Sequence, residues 1–282
     1  MKFTIGTQLY GLGKELSSDF KGTIEELHNI GFECVEPMCI PTNWQLFMPP
    51  NTFSYKRLES LIRELEKYNM TIPSVHLGAG MGGYMKPAGT VINSIQKLRN
   101  RFGVKNFVFS GMFSNQKDAV RWGALLRETA DATASWNCRV IYHNHDVELE
   151  EIKSDGKRCT LLDTFFEKAG KNVLLQLDIG WAAYAADELS VFQQYADRII
   201  EIHCKDFTAG ALSSGARRDD IPAEGFTAIG SGAVKTAEIL KRLNNLPKFN
   251  GTVLIDQDKT GGRMLEDLEA GFRYLDACRS TL

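Results

Sequence analysis

A change of hydrophobic period, repeated eight times from end to end, constrains this chain more than any single residue does. Short apolar runs near 3–9, 33–37, 71–77, 105–110, 138–143, 172–178, 199–205 and 251–256 read as strands. Amphipathic stretches near 20–30, 54–69, 87–102, 115–136, 160–170, 187–197, 233–244 and 262–278 read as helices. Strict alternation of the two implies a parallel sheet. Eight repeats within 282 residues imply that the sheet closes on itself, which removes both edge strands. The expectation is an α/β protein, a single (β/α)8 TIM barrel forming one domain over residues 1–282 with no linker or composition break. An open doubly wound sheet is the alternative, but it lacks a glycine-rich nucleotide loop after the first strand.

Charge and cysteine content narrow the function classes. A net charge of −2 gives no global attraction to nucleic acid or to an anionic membrane. Six scattered cysteines without a CxxC pair read as reduced thiols, and no apolar run approaches the ~20 residues of a membrane span. The N-terminal residues pass directly into a strand pattern, with no signal peptide. A cytoplasmic protein is expected. Barrels of this size often pair, so a homo-oligomer is compatible with the sequence, although no decisive apolar patch stands out.

Period-two alternation then assigns faces. Val35, Val75, Leu77, Val140, Tyr142, Leu175, Leu177, Ile200, Ile202, Val253 and Ile255 are expected to face the helices. Cys34, Glu36, His76, His143, Gln176, Asp178, Glu201, His203 and Asp256 are expected to face the barrel axis. Polar side chains are costly to bury unless they are paired or bind metal. Gathered at strand ends, they mark the C-terminal face where barrels build active sites.

The densest piece is Tyr142-His143-Asn144-His145-Asp146. Histidines two apart on a strand share a face, so at least one is expected to bind metal, the other bonding backbone or substrate. Asp178 is either a site residue or a helix N-cap, the following Gly180 permitting a sharp turn and close ligand approach. Beside His203, Asp206 is expected to orient the imidazole. Lys205 either balances a developing oxyanion or pairs with Asp206. Glu148, Glu150 and Glu151 read as a solvated loop, with Glu148 near enough to reach the mouth. Gly230-Ser231-Gly232 reads as an anion-binding turn or a plain loop-to-helix turn, and the glycine-rich run 78–83 as flexible enough for a lid. Long loops at 39–53, with Trp44 and Phe47, and at 207–230, with Arg217, Arg218, Asp219 and Asp220, either shape the mouth or merely cover it.

Gly31-Phe32-Glu33-Cys34-Val35-Glu36, Tyr142 to Glu148, Gln176-Leu177-Asp178-Ile179-Gly180-Trp181, Ile202-His203-Cys204-Lys205-Asp206 and Ile255-Asp256-Gln257-Asp258 together resemble the sugar phosphate isomerase/epimerase superfamily of xylose-isomerase-like barrels. The resemblance covers essentially the whole chain. It implies a divalent metal ion (Mn, Co, Mg or Zn) held at the ends of strands five to eight, here by His143, Asp178, His203 and Asp256. Epimerase-type members carry Glu, Asp, His and Glu there, so His143 and Asp256 depart from the pattern. Ser231 and Lys235 also stand where the family has an acidic pair near Gly232.

The resemblance implies a metal-dependent isomerase, epimerase or dehydratase acting next to a carbonyl on a small sugar, inositol or related polyol. His145 or Asp256 is expected to move the proton, with Lys205 as a further catalytic group. Glu36, His76, Trp181 and Glu148 are expected to contact substrate. The departures at His143 and Asp256 favour an isomerase or lyase over a two-base epimerase. They also leave a catalytically degenerate sugar-binding barrel as the alternative.

Overall fold

A computed structural model describes residues 3–40, 50–154 and 156–282. Trp44 and Phe47 of the first long loop lie outside the described residues. The barrel strands are β1 Thr4–Gln8, β2 Cys34–Glu36, β3 Val75–Leu77, β4 Asn106–Phe109, β5 Arg139–His143, β6 Val173–Asp178, β7 Ile199–Cys204 and β8 Thr252–Ile255. All eight fall inside the eight apolar runs of the sequence. They pair in parallel, β2 beside β1, then β8, β7, β6, β5, β4 and β3.

The ring closes at Pro37. On one side of it Cys34–Glu36 pairs with β1, and on the other the short strand Met38–Cys39 pairs with β3. Proline has no N–H to give a ladder, but its carbonyl accepts from His76 N at 3.0 Å. One interrupted segment thus joins both ends of the sheet.

Helices wrap the outside: α1 Phe20–Ile30, α2 Tyr55–Glu66, α3 Ala88–Phe102, α4 Gln116–Thr133, α5 Leu161–Ala169, α6 Ile179–Ala185 and α7 Glu188–Gln194. The short α8 Thr236–Leu240 and the long α9 Met264–Ser280 complete the layer. Side-chain oxygens begin several of them: Asp19 accepts from Gly22 N, Ser54 from Arg57 N, Asn115 from Asp118 N, and Thr160 forms a capping box with Asp163.

Ile5, Val35, Val75, Phe107, Val140, Tyr142, Leu175, Leu177, Ile202, Val253 and Ile255 pack in the main core between strands and helices. The barrel interior is floored by Val108, Ile141 and Ile200, with Leu174 against them. Ile200 therefore faces inward, contrary to simple alternation. The β6–β7 register slips between Leu175 and Gln176, pairing Leu175 with Ile199 but Gln176 with Glu201. A bulge of this kind sets two consecutive residues opposite one, so Ile200 and Glu201 both reach the interior. Gly6 completes the packing, since a Cβ there would lie 2.4 Å from Cys34 Sγ and 2.6 Å from Leu254 Cδ2.

Candidate active site and metal centre

At the C-terminal ends of the strands lies a cavity of about 370 Å³. His76, Ser110, His143, His145, Trp181, Arg218, Asp256 and Asp258 are among the residues that line it. At its base, one ligand-type atom from each of His143, Asp178, His203 and Asp256 lies within 4.8 Å of the other three. All four side chains are buried. Strand parity brings them together, each lying within a residue of the end of one of the adjacent strands β5 to β8.

Asp178 serves two structures at once. Its Oδ1 accepts from Trp181 N at 2.9 Å and caps α6. Its Oδ2 is buried without a hydrogen-bond partner, 3.9 Å from His143 Nε2 and 3.6 Å from Lys205 Nζ. Burial raises its pKa to about 7, aided by the nearby Asp256 carboxylate and opposed by Lys205. Burial also opposes ionisation of Asp256, but the cations of Lys205 and His203 outweigh it and hold that carboxyl well below its ordinary value.

His203 stands between two carboxylates. Its Nδ1 is 3.4 Å from Asp256 Oδ2, and its Nε2 is 3.4 Å from Glu36 Oε1. Burial disfavours the imidazolium, yet Glu36 and Asp256 prevail and raise its pKa to about 10. His143 lacks such a carboxylate pair, and burial together with the charge of His203 keeps it neutral.

Two imidazoles and two carboxylates at this spacing, with a buried carboxylate oxygen left without a partner, fit a divalent cation with mixed nitrogen and oxygen ligands. The Glu36 carboxylate behind His203 is the usual outer partner of a metal-bound histidine.

Lys205 is fully buried, and its Nζ meets Asp258 Oδ2 at 2.7 Å, Asp256 Oδ2 at 3.0 Å and Asp256 O at 2.8 Å. Carboxylate and carbonyl oxygens thus surround its ammonium. The ion pair expected with Asp206 is not formed; Lys205 pairs with Asp256 and Asp258 instead. Asp206 does not reach the imidazole either. Its carboxylate accepts from the backbone N–H groups of Phe207, Gly230, Gly232 and Val234 at 2.9–3.1 Å. The Gly230 and Gly232 amides once open to an external anion are filled by this internal one.

Among the residues expected to touch substrate, His76 and Trp181 line the cavity. Glu36 lies below it, fully buried, with Oε1 3.3 Å from His76 Nδ1 and Oε2 accepting from Ser74 and Gln176. Glu148 is not solvated but buried, accepting from Tyr142 Oη at 2.6 Å and from His145 N at 2.9 Å. Burial raises its pKa to about 7. It acts on the wall behind His145 and not on the cavity surface. His145 itself lines the cavity with a buried Nδ1 that has no hydrogen-bond partner. Burial, then the charges of Arg218 and Lys205, keep that ring neutral.

Other assignments shift in detail. Gly180 leaves room for protein, not ligand: a Cβ there would lie 2.5 Å from Lys205 Cβ. The glycine-rich run forms a two-stranded ribbon, Gly80–Met81 with Tyr84–Met85, pinned by Gly82 N to Gly111 O at 2.6 Å and Trp122 Nε1 to Gly82 O at 2.7 Å. Lys235 pairs with Asp187 and Glu188 outside the site. Sequence reasoning gave no role to Ser74, Ser110, Asn250 or Asp258. Asp258 was reachable, since it shares the parity of Asp256; the other three carry no pattern.

Residues 24–278 match the family described as xylose isomerase-like TIM barrel. A sugar phosphate isomerase/epimerase from Parabacteroides distasonis superposes with a TM-score of 0.76 at 21% identity, over 98% of this chain and 94% of that one. The probable 3-DHS dehydratase AsbF of Bacillus anthracis, involved in petrobactin synthesis, gives a TM-score of 0.69 at 16% identity, over 98% and 99% of the two chains. These likenesses are of fold. The rhizopine catabolism protein MocC of Rhizobium meliloti is 27% identical over 128 residues, 43% of this chain and 38% of that protein, so the match spans well under half of the relative. By the extent of the family match, the chain belongs to the xylose isomerase-like TIM-barrel family.

Proposed function

We propose that this protein is a metal-dependent enzyme that moves a proton next to a carbonyl of a sugar, inositol or related polyol, with isomerisation or dehydration as the outcome. The observation that carries the reading is the convergence of His143, Asp178, His203 and Asp256 at the base of a cavity that also holds the unpartnered His145. These four residues would hold the ion. A divalent ion, when bound, supplies Lewis acidity that polarises carbonyl and hydroxyl oxygens.

The chain's own groups do the rest. His145 lines the cavity, and burial with the charges of Arg218 and Lys205 holds its pKa well below the ordinary value, so the neutral ring is suited to act as the base for the α-proton. Glu148 fixes the His145 backbone, and the Trp181 indole beside it offers an apolar face to sugar C–H groups. Lys205 restrains Asp256 and Asp258 and limits the negative charge gathered at the site.

Titration of the purified protein with Mn²⁺, Co²⁺, Mg²⁺ and Zn²⁺ by calorimetry, followed by deuterium exchange into keto-sugars and inososes by NMR, tests the reading. Asp178→Ala and His203→Ala should each abolish metal affinity while far-UV circular dichroism stays unchanged. Absence of affinity in the natural protein, or full affinity in both variants, would sink it.

A further inference from the structure

Beneath the ligand cluster lies a polar layer that neither the cavity nor the proposed reaction uses. Gln176 is at its centre, fully buried, and touches three groups. Its Nε2 is 2.8 Å from Glu36 Oε2 and 2.9 Å from Glu201 Oε2, and its Oε1 is 3.0 Å from His143 Nδ1. Ser74 Oγ lies at 2.5 Å from Glu36 Oε2 and 3.1 Å from Glu201 Oε2, and Asn250 Nδ2 donates to Glu201 Oε1 at 2.7 Å.

The donors and acceptors admit one solution. Both amide protons of Gln176 must go to the two glutamates, because a reversed amide would set its oxygen against both carboxylates. The amide oxygen then faces His143 and can only accept. So Nδ1 of His143 carries the proton, and its Nε2 lone pair is turned toward Asp178 Oδ2, 3.9 Å away.

We infer that Gln176 is a positioning residue. Held in one orientation by Glu36 and Glu201, it locks His143 in the Nδ1–H tautomer and so aims the Nε2 lone pair at the ligand cluster. This use of the lone pair rests on the proposed metal reading; the tautomer lock does not. Glu36 is remote in sequence from what it orients, 140 residues separating it from Gln176. The layer thus explains why two carboxylates are buried on the barrel axis where neither meets solvent.

The test is ¹⁵N NMR of histidine-labelled protein without added metal at neutral pH, with His143→Gln used to assign the His143 signals. A protonated Nδ1 and an unprotonated Nε2 at His143 are expected in the natural protein, and averaging of the two tautomers in Gln176→Leu. Calorimetry with Mn²⁺ should then show a dissociation constant about 10–100-fold weaker in Gln176→Leu. An Nε2–H tautomer in the natural protein overturns the inference, and this measurement needs no variant to fold. An unchanged tautomer in folded Gln176→Leu overturns it as well. A locked tautomer in a protein with no Mn²⁺ affinity upholds the lock and removes the metal reading instead.

Discussion

At the scale of single residues, the site assigns unlike tasks to like side chains. Glu36 and Asp256 favour the imidazolium of His203, so an ion bound there must displace its proton, while burial and neighbouring positive charge keep His143 and His145 neutral. The division yields a first prediction. His145→Ala should lower turnover by about 10²–10⁴-fold, the usual worth of a general base, with Mn²⁺ affinity nearly unchanged in calorimetry. Lost affinity with retained turnover would exchange its role with that of His143. Glu148 gives a second. Its pKa is about 7 in the folded protein against an ordinary 4.5, so the folded state keeps the proton longer than the unfolded state. Its contribution is fully present below pH 4.5 and is lost as pH rises through 7, about 3 kcal/mol in all. Urea unfolding of the natural protein and Glu148→Gln across this range should therefore diverge, the natural protein losing stability more steeply with rising pH. Parallel curves would show that Glu148 is not the responsible group.

At the scale of elements, the ends of β6 and β7 are built against each other. Gly180, in the first turn of α6, lies so close to Lys205 that any side chain must displace it. Gly180→Ala should cost about 1–3 kcal/mol by overpacking and should weaken Mn²⁺ binding through the movement of Lys205 against Asp256. A fully stable variant of natural affinity would refute the contact. Asp206 has an equally local duty, gathering four backbone N–H groups and fixing the loop before α8. Asp206→Asn should cost on the order of 3 kcal/mol, as hydrogen bonds to a charge are lost. Hydrogen exchange should speed up at residues 230–234 before it does elsewhere. Uniform exchange would mean that the loop is held by other contacts.

At the scale of the whole molecule, the strands were legible because a period of two stands apart from 3.6 wherever apolar residues mark it. The ribbons at Gly80–Met85 and Glu151–Thr160 were not, since their strands are short and carry no alternating apolar face. Parity located the axial histidines and carboxylates because direction along a strand is a local property. It misplaced Ile200, because a bulge is a property of two paired strands. It could not tell Glu36 or Lys205 from cavity groups. That distinction depends on which partners closure of the barrel supplies, as when β2 brings Glu36 to His203 of β7. Among the described residues no helix is long and apolar enough to cross a membrane.

The metal-ligand candidates all follow residue 138, whereas Glu36, Ser74 and His76 all precede it. The two halves of the chain therefore meet across a seam at Glu36–His203, Glu36–Gln176 and Ser74–Glu201, where Glu36 and Ser74 of the first half brace the ligand candidates and orienting groups of the second. Recombination between related barrels at that seam would exchange the halves as units. A hybrid would rebuild a working centre only where the incoming N-terminal half brings a carboxylate to position 36.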